Sequence, residues 1–258
     1  MRSAVKCLAV VLLGVFLYSG WQVARIGGQY ARSREQYAAL EQYVFLPPRE
    51  EPAGEEPRME EPRAEEPVWP QVDFDALRGI NPEVVAWLSV EGTSIHYPVV
   101  QGEDNAFYLD HQFDGSRGSA GCLFLDAEQD GAFGGANQVI YGHYMKDGSM
   151  FHDLGVYKKQ AFFDDHPTGW LITPSAVYKL RFFSGYVSDT AGDAWQTAFS
   201  EGDYLRWLER RGEKSAFSSG VVPTADSRVV TLSTCSYEFE NARFVLHGVL
   251  EAQESTVE

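Results

Sequence analysis

Residues Val229–Cys235 read VVTLSTC, and after the short link Ser236–Ala242 the chain continues as RFVLHGVL over Arg243–Leu250. Both runs are rich in apolar and β-branched residues, so each predicts a β-strand. Because the link between them is short, we expect two neighbouring antiparallel strands. Cys235 and Arg243 should then face each other at the same rim, where the first strand turns polar.

The preceding part of the chain consists of short apolar runs that are separated by Gly, Pro, Asn and Asp. With the two runs above, this pattern predicts strands at Ala86–Val90, Ser94–Val100, Gly121–Leu125, Gln138–Tyr141, Gly169–Thr173, Val177–Val187, Arg228–Leu232 and Arg243–Leu250. Helical patterns cover Asp73–Ile80, Ser149–Phe163 and Asp203–Arg211, and Asn81-Pro82 is typical of a helix start. Eight strands with few helices indicate a mostly β fold, either a closed barrel or a sandwich.

An apolar run lies near the N-terminus, where Cys7–Ala24 reads CLAVVLLGVFLYSGWQVA without a charge. As a helix it would be about 27 Å long, enough to cross the hydrocarbon core of a bilayer. We therefore expect residues 1–28 to be a transmembrane anchor, with a cleaved signal peptide as the alternative. Basic residues flank the run on both sides, so the positive-inside rule does not give its orientation.

Two further segments separate this run from the folded region. Residues 29–46 show roughly helical spacing of Tyr30, Tyr37, Leu40 and Val44, which predicts a stalk helix. Residues 47–70 contain a Glu-Glu-Pro repeat, which forbids a continuous helix and cannot bury a core. We expect an extended linker of up to roughly 75 Å that holds a domain at 71–258 away from the membrane.

Composition excludes several classes of function. The formal net charge is −16, and no basic stripe with interleaved aromatic residues is present, so nucleic-acid binding is not expected. The three cysteines, Cys7, Cys122 and Cys235, show neither a disulfide framework nor zinc-ligand spacing. We expect no metal and no cofactor.

The candidates for chemistry are Cys235, Arg243 and His143. A cysteine at a strand tip is held firmly yet stays accessible, and a neighbouring guanidinium could stabilise an oxyanion and favour the thiolate. A structural cysteine beside a surface arginine remains an alternative on spacing alone. His143 also follows a strand, Gln138–Tyr141, but from its position alone it could equally be an ordinary loop residue.

Five segments together resemble the sortases, and class B sortases in particular. The signature-like TLSTC at Thr231–Cys235 is followed by Arg243 at the class B spacing, and the others are Asn81–Leu88 (NPEVVAWL), Tyr97–Gln101 (YPVVQ), Gly121–Asp126 (GCLFLD) and Tyr141–Phe151 (YGHYMKDGSMF). They occur in the family's order and extend over about Asp73 to Leu250. One departure is Tyr144, where class B sequences more often carry asparagine.

The resemblance implies an eight-stranded sortase-type barrel and a cysteine transpeptidase. Cys235 would attack the threonine carbonyl of a C-terminal sorting motif on a surface protein, with Arg243 on the oxyanion and His143 transferring the proton. The acyl group would pass to an amine of a peptidoglycan precursor. We expect Ser233, Thr234 and Tyr141 to line the substrate groove.

The family also places the enzyme in a Gram-positive cell envelope, anchored in the membrane with its catalytic domain outside. The connection Ser188–Ser227 would flank the substrate, and Cys122 would be a core residue that is not bonded to Cys235. A thiol hydrolase acting on the same motif and a non-catalytic stalked surface-binding module remain alternatives. Neither the motif, whether NPxT-like or S/PPxTG-like, nor the substrate proteins follow from these residues.

Overall fold

The computed structural model describes residues 2–45 and 69–253. Within these ranges the helices are α1 (Arg2–Leu40), α2 (Phe74–Ile80), α3 (Phe107–Asp110), α4 (Gln160–Asp165) and α5 (Asp203–Lys214), with 3-10 helices at Glu41–Tyr43 and His152–Lys158. The strands are β1 (Val44–Phe45), β2 (Gln71–Val72), β3 (Val84–Val90), β4 (His96–Val100), β5 (Leu123–Leu125), β6 (Asn137–Tyr141), β7 (Thr168–Ile172), β8 (Val177–Asp189), β9 (Val229–Cys235) and β10 (Ala242–Gln253).

Strands β3 to β10 close into one barrel in the order β10-β8-β7-β3-β4-β5-β6-β9. The neighbours are antiparallel except β4–β5 and β6–β9, which are parallel. All eight predicted strands are confirmed, and the closed barrel rather than the sandwich is correct. Closure removes the free edges that would otherwise expose unpaired backbone groups.

The outer side of the barrel wall formed by β8, β9 and β10 is covered by α5. Its buried Tyr204, Trp207 and Leu208 pack with Phe183 and with residues of β9 and β10. The helix covers one face of β9, and side chains inside the barrel cover the other face. Six of the seven residues of β9 are therefore buried, and only Cys235 at its tip is partly exposed. Truncation of a fully buried tryptophan such as Trp207 costs about 3–5 kcal/mol, so α5 contributes strongly to this wall.

Two of the helical predictions need correction. Asn81-Pro82 does not begin a helix: Asn81 lies at the end of α2, and its amide donates to the hydroxyl of Tyr108 and the carbonyl of Phe113, both at 2.8 Å. These contacts with distant parts of the chain hold Asn81 in an extended conformation, and a turn closed by the bond from the Val84 amide to the Asn81 carbonyl then leads into β3. The predicted helix over Ser149–Phe163 is divided into a 3-10 helix and α4 by an extended residue, Lys159.

The C-terminal end of the N-terminal helix packs on the barrel, whereas residues 11–21 of the same helix are exposed. It is continuous across the boundary expected between the anchor and the stalk, and Ser33, Tyr37 and Leu40 are buried at helical spacing. The hydroxyl of Tyr37 donates to the carbonyl of Gly121 at 2.5 Å. Within residues 2–45 and 69–253, no helix combines the length and apolar character needed to cross a bilayer, so the transmembrane helix expected at 1–28 is without support there.

The residues on either side of the Glu/Pro tract pair with each other. Residues 46–68 lie outside the described residues, but the chain on either side of them forms a two-stranded sheet, with Val44 opposite Val72 and Phe45 opposite Gln71. The amide of Asp73 also donates to the carbonyl of Tyr43 at 2.9 Å. The residues on the two sides of the tract are therefore close together, while the extended linker expected over residues 47–70 falls almost entirely on undescribed residues and stays a prediction.

Candidate functional site

A cavity of about 630 Å³ opens at the barrel rim where β6 and β9 end and β10 begins. Cys235, His143 and Arg243 all line it. The other lining residues come from β5, β6 and β9, from the segment around α3 and from the loop after β8; they are Asn105, Leu109, Phe124, Tyr141, Gly142, Thr190, Gly192, Asp193, Trp195, Gln196, Ser233 and Thr234.

Cys235 and Arg243 are direct partners in the β9–β10 ladder, as the sequence predicted. The turn between them is closed by a hydrogen bond of 2.9 Å from the amide of Ser236 to the carbonyl of Ala242, and Asn241 adopts a positive φ of 61°. Both side chains are partly exposed. Within the described residues, the only side-chain hydrogen bond of Arg243 is to the carbonyl of Ala242 at 3.1 Å, so other guanidinium donors can reach a substrate oxygen.

His143 follows β6 by two residues and faces the same cavity. Its Nε2 lies 2.7 Å from the backbone carbonyl of Leu109. A carbonyl oxygen only accepts, so Nε2 must carry the proton of this hydrogen bond. The other ring nitrogen, Nδ1, is therefore the atom that can exchange a proton with a substrate or with Cys235.

The glycines beside His143 are required by close packing. A Cβ atom added at Gly142 would lie 2.4 Å from Cδ2 of Leu123. Gly121 has a φ of 59°, and its added Cβ would lie 2.4 Å from the carbonyl of Tyr108 and 3.2 Å from Cδ2 of the His143 ring. Gly121 thus packs against the His143 ring and against the backbone that leads to Leu109, whose carbonyl is the hydrogen-bond partner of His143.

The three predicted groove residues all line the cavity. Ser233 Oγ accepts a hydrogen bond from Nε1 of Trp195 at 3.0 Å. The hydroxyl of Tyr141 donates a hydrogen bond to the carboxylate of Asp126 at 3.1 Å. Burial, together with the negative charge of that carboxylate, raises the pKa of Tyr141 and so keeps the phenol neutral. Thr234 is buried, and its hydroxyl has no partner within the described part of the chain.

The loop after β8 supplies a wall that sequence reasoning located only as the broad connection Ser188–Ser227. Its cavity-lining members lie within residues 190–196, which we call the cavity wall. Asp193 in this wall contacts Arg211 at 2.6 Å. Burial alone would raise the pKa of Asp193, but the hydrogen bond and charge of Arg211, with the charge of Lys214, lower it to about 2.

Leu109 and Asn105 were missed by the sequence analysis. They belong to a segment that is distant in sequence. Leu109 contributes only a backbone carbonyl to His143, and a backbone carbonyl has no signature in the sequence.

The departure at Tyr144 has a structural counterpart, because its ring packs against His152 and Tyr237 at centroid distances of 4.4 and 5.3 Å.

The second cysteine of the folded region differs sharply from Cys235. Cys122 is only 1% exposed, and burial raises the pKa of its thiol to about 12. Both Cys122 and Cys235 are free thiols in the structure. Over the described residues, no group of three or more His, Cys, Asp or Glu side chains is arranged to hold a metal ion.

Similarity to known proteins extends over almost the whole chain, although no family model matches it. Sortase B from Listeria monocytogenes is 33% identical over 248 residues, which are 95% of this chain and 96% of the relative. A Staphylococcus aureus sortase B–substrate complex superimposes with a TM-score of 0.67 at 32% identity, over 70% of this chain and 85% of that one. A sortase B complexed with triglycine gives a TM-score of 0.66 at 32% identity, covering 70% and 86%.

Proposed function

The chain belongs to the sortase B family and is a cysteine transpeptidase, and we propose that Cys235, His143 and Arg243 carry out the transfer in the rim cavity. The observation that supports these roles is the register of β9 and β10, which pairs Cys235 with Arg243 at the rim of a cavity that His143 also lines. A nucleophile, an oxyanion donor and a proton carrier are the three groups that acyl transfer requires.

In the first half-reaction, the Cys235 thiolate attacks the carbonyl carbon of the threonine in a sorting motif, and a C–S bond forms. Arg243 donates hydrogen bonds to the resulting oxyanion. The C–N bond then breaks, and the leaving amine takes a proton from His143. A thioester between threonine and Cys235 remains.

In the second half-reaction, an acceptor amine attacks the thioester and gives its extra proton to His143, and the thiolate leaves. The new amide joins the surface protein to the acceptor, which we propose is an amine of a peptidoglycan precursor. The relatives solved with a substrate and with triglycine support a peptide donor and an amine acceptor of this kind. Ser233, Thr234 and Tyr141 are proposed to contact the donor peptide.

The family indicates a function in the Gram-positive cell envelope. We further propose that residues 71–258 are the catalytic domain. We also propose that the apolar run Cys7–Ala24 is a single-pass membrane anchor with the N-terminus inside, although the structure does not describe the side chains of Cys7–Val10. If this is correct, the full chain stays with the membrane fraction after a carbonate wash, and a variant lacking residues 1–28 is released. Release of the full chain would contradict the anchor.

The catalytic proposal is tested with a peptide library that carries NPxT-like and S/PPxTG-like motifs, in the presence of triglycine as acceptor. Mass spectrometry should detect the threonine–triglycine product and, without acceptor, an acyl group on Cys235. Product formation also separates a transpeptidase from a thiol hydrolase, which would yield only the free threonine carboxylate.

Substitutions assign the roles. Cys235→Ala should abolish both acylation and transfer, His143→Ala should nearly abolish them, and Arg243→Ala should lower kcat/KM by about 10²–10³-fold, the cost of losing an oxyanion donor. Cys122→Ala is the matched control, since this thiol lies away from the cavity lining and should leave the activity unchanged. Full turnover by Cys235→Ala would refute the assignment.

A further inference from the structure

The cavity wall, residues 190–196, forms neither helix nor strand. Trp195 in this wall nevertheless donates to Ser233, two residues before the nucleophile. A segment without regular structure keeps such a geometry only when other groups hold its backbone. Two sets of buried polar side chains contact this wall, and neither set takes part in the proposed reaction.

The first set begins at Asn137, the first residue of β6, which is 1% exposed. Its Nδ2 donates to the carbonyl of Gln196 at 2.9 Å and, more weakly, to that of Ala194 at 3.4 Å. Both partners are backbone carbonyls that can only accept, so the amide nitrogen must face the wall and Oδ1 must face the barrel. Asn137 therefore holds the wall on both sides of Trp195.

The orientation of Asn137 is enforced from inside the barrel wall. Thr231 donates its single hydroxyl proton to Oδ1 of Asn137 at 2.6 Å, so its oxygen must accept the hydrogen bond of 2.8 Å with Nδ1 of His247. The β9–β10 register places Thr231 and His247 opposite each other. Hydrogen bonds thus run in one direction, from His247 through Thr231 and Asn137 to the cavity wall.

The second set is built around Arg211 of α5, which is fully buried. Its Nη2 donates to the carboxylate of Asp193, and Nε1 of Trp207 donates to the backbone carbonyl of the same residue at 2.7 Å. The guanidinium also stacks over the Trp207 ring at 5.1 Å. The middle of the wall is therefore held at Asp193 by α5, and its C-terminal end at Ala194 and Gln196 by Asn137.

We propose that Asn137 is a positioning residue that holds residues 190–196 in place before the donor peptide binds and thereby sets the affinity for that peptide. This inference rests on the proposed function of the cavity. A wall that is ordered in advance loses less conformational entropy on binding, so its release should weaken peptide binding more than it slows the chemical steps. Asn137 itself is not among the residues that line the cavity.

The test uses Asn137→Asp in the full chain. Aspartate has nearly the same shape as asparagine and keeps the oxygen that accepts from Thr231. It replaces the two N–H groups that bond the wall by an oxygen that faces two carbonyls. The matched control is Gln138→Glu, an amide-to-carboxylate change at the equally buried next residue, which makes no hydrogen bond to the wall within the described residues.

Amide hydrogen exchange gives a readout that does not depend on activity. We expect exchange within residues 190–196 to become at least about tenfold faster in Asn137→Asp than in the wild type and in Gln138→Glu. Unchanged exchange in this segment would overturn the proposal, whatever the activity of the protein. Loss of thermal stability in both variants without local acceleration would likewise assign Asn137 a purely structural role.

Kinetics with the best-cleaved peptide of the library test the consequence for binding. We expect KM to rise about tenfold in Asn137→Asp, with kcat within about twofold of the wild type. An unchanged KM in a protein with accelerated exchange would overturn the link to peptide affinity. If the wild type neither cleaves nor transfers, the proposed function fails instead, and hydrogen exchange still decides the positioning role.

Trp195→Phe provides a second variant in case Asn137→Asp does not fold. It removes the indole N–H that bonds Ser233 from a residue that is only partly buried, so the fold should tolerate it. We expect KM to rise about threefold or more with kcat retained. A wild-type KM in this variant would show that the wall geometry does not control peptide affinity.

Discussion

At Cys235 the chain passes from a strand with both faces covered to a partly exposed tip. The preceding residue, Thr234, is buried, whereas Cys235 opens into the cavity. Cys235 is therefore held firmly by the strand and is also accessible from solvent, as a nucleophile requires. Cys122 has the opposite environment, since it is enclosed in the core beside Tyr37.

The two thiols should differ in reactivity accordingly. When the native full chain is treated with iodoacetamide near pH 7.5, we expect Cys235 to be alkylated rapidly and Cys122 to remain unmodified, because only an accessible thiolate reacts. Peptide mapping by mass spectrometry measures each site separately. In urea Cys122 should become reactive. Equal labelling of both thiols in the native protein would contradict this account of the site.

Gly121 gives a second prediction at the same scale. Gly121→Ala places a Cβ against the Tyr108 carbonyl, which displaces the backbone that leads to Leu109 and so the partner of His143. We expect kcat/KM to fall about 10- to 100-fold, as displacement of a catalytic group does.

The control for this change is Gly115→Ala. Gly115 also has a positive φ, 77°, but an added Cβ there meets no atom within 4 Å. Both variants should lose about 1–3 kcal/mol of stability from backbone strain, and only Gly121→Ala should lose activity. Equal activity in the two variants would show that the contact near His143 is not needed.

Among the elements, α1 makes the least expected contribution. Its C-terminal end is part of the hydrophobic core, and Tyr37 donates to the carbonyl of Gly121, the residue that packs against His143. The amide of the next residue, Cys122, bonds the carbonyl of Tyr108 at 3.0 Å. A helix that the sequence suggests is a stalk thus supports the back of the active site.

Removing a buried side chain from α1 should therefore destabilise the whole domain. Leu40→Ala should lower the free energy of unfolding by about 2–5 kcal/mol, the usual cost of such a truncation in a core. Glu35→Ala, on the exposed side of the same helix, should change it by less than about 0.5 kcal/mol. Urea denaturation of the full chain measures both. Similar small effects would mean that α1 does not pack on the barrel in solution.

Over the whole molecule the formal net charge is −16, yet two basic side chains of the folded region are buried. His247 of β10 and Arg211 of α5 are both fully buried. Burial, with the positive charges of Arg211 and Lys214, lowers the pKa of His247 to about 3, although Asp193 acts in the opposite sense. The stability of the fold is therefore coupled to pH.

The sign of this coupling follows from proton uptake. The unfolded chain binds a proton at His247 near pH 6.5, whereas the folded protein binds it only near pH 3, so stability falls as pH drops from about 6.5 towards 3. The slope reaches about 1.4 kcal/mol per pH unit for this one group. Asp193, whose pKa is lowered from 3.8 to about 2, adds a further loss below about pH 4.

Urea denaturation at pH 7 and pH 4.5 measures this dependence. We expect the wild type to lose markedly more stability over this interval than His247→Gln, because glutamine can donate to Thr231 but takes up no proton. His96, whose pKa is also lowered by burial, contributes equally to both proteins. An identical loss in the two proteins would show that His247 is not the responsible group.

Local sequence patterns were sufficient for the strands and for one pair of site residues. All eight barrel strands were predicted, because alternation of apolar runs with turn residues depends only on neighbouring positions. The pairing of Cys235 with Arg243 was predictable for the same reason, since a short turn sets the register of a hairpin. The assignment of His143 and the substrate class needed the resemblance to a family.

Contacts between distant parts of the chain decided the rest. The carbonyl that bonds His143 comes from a residue 34 positions earlier, and the backbone held by Asn137 lies up to 59 positions later. Such contacts form only when the barrel closes, and backbone carbonyls leave no mark in the sequence. The same distinction applies to the Glu/Pro tract: its proline spacing predicts that residues 47–70 form no continuous helix, but only the tertiary structure shows that Val44, before the tract, pairs with Val72, after it.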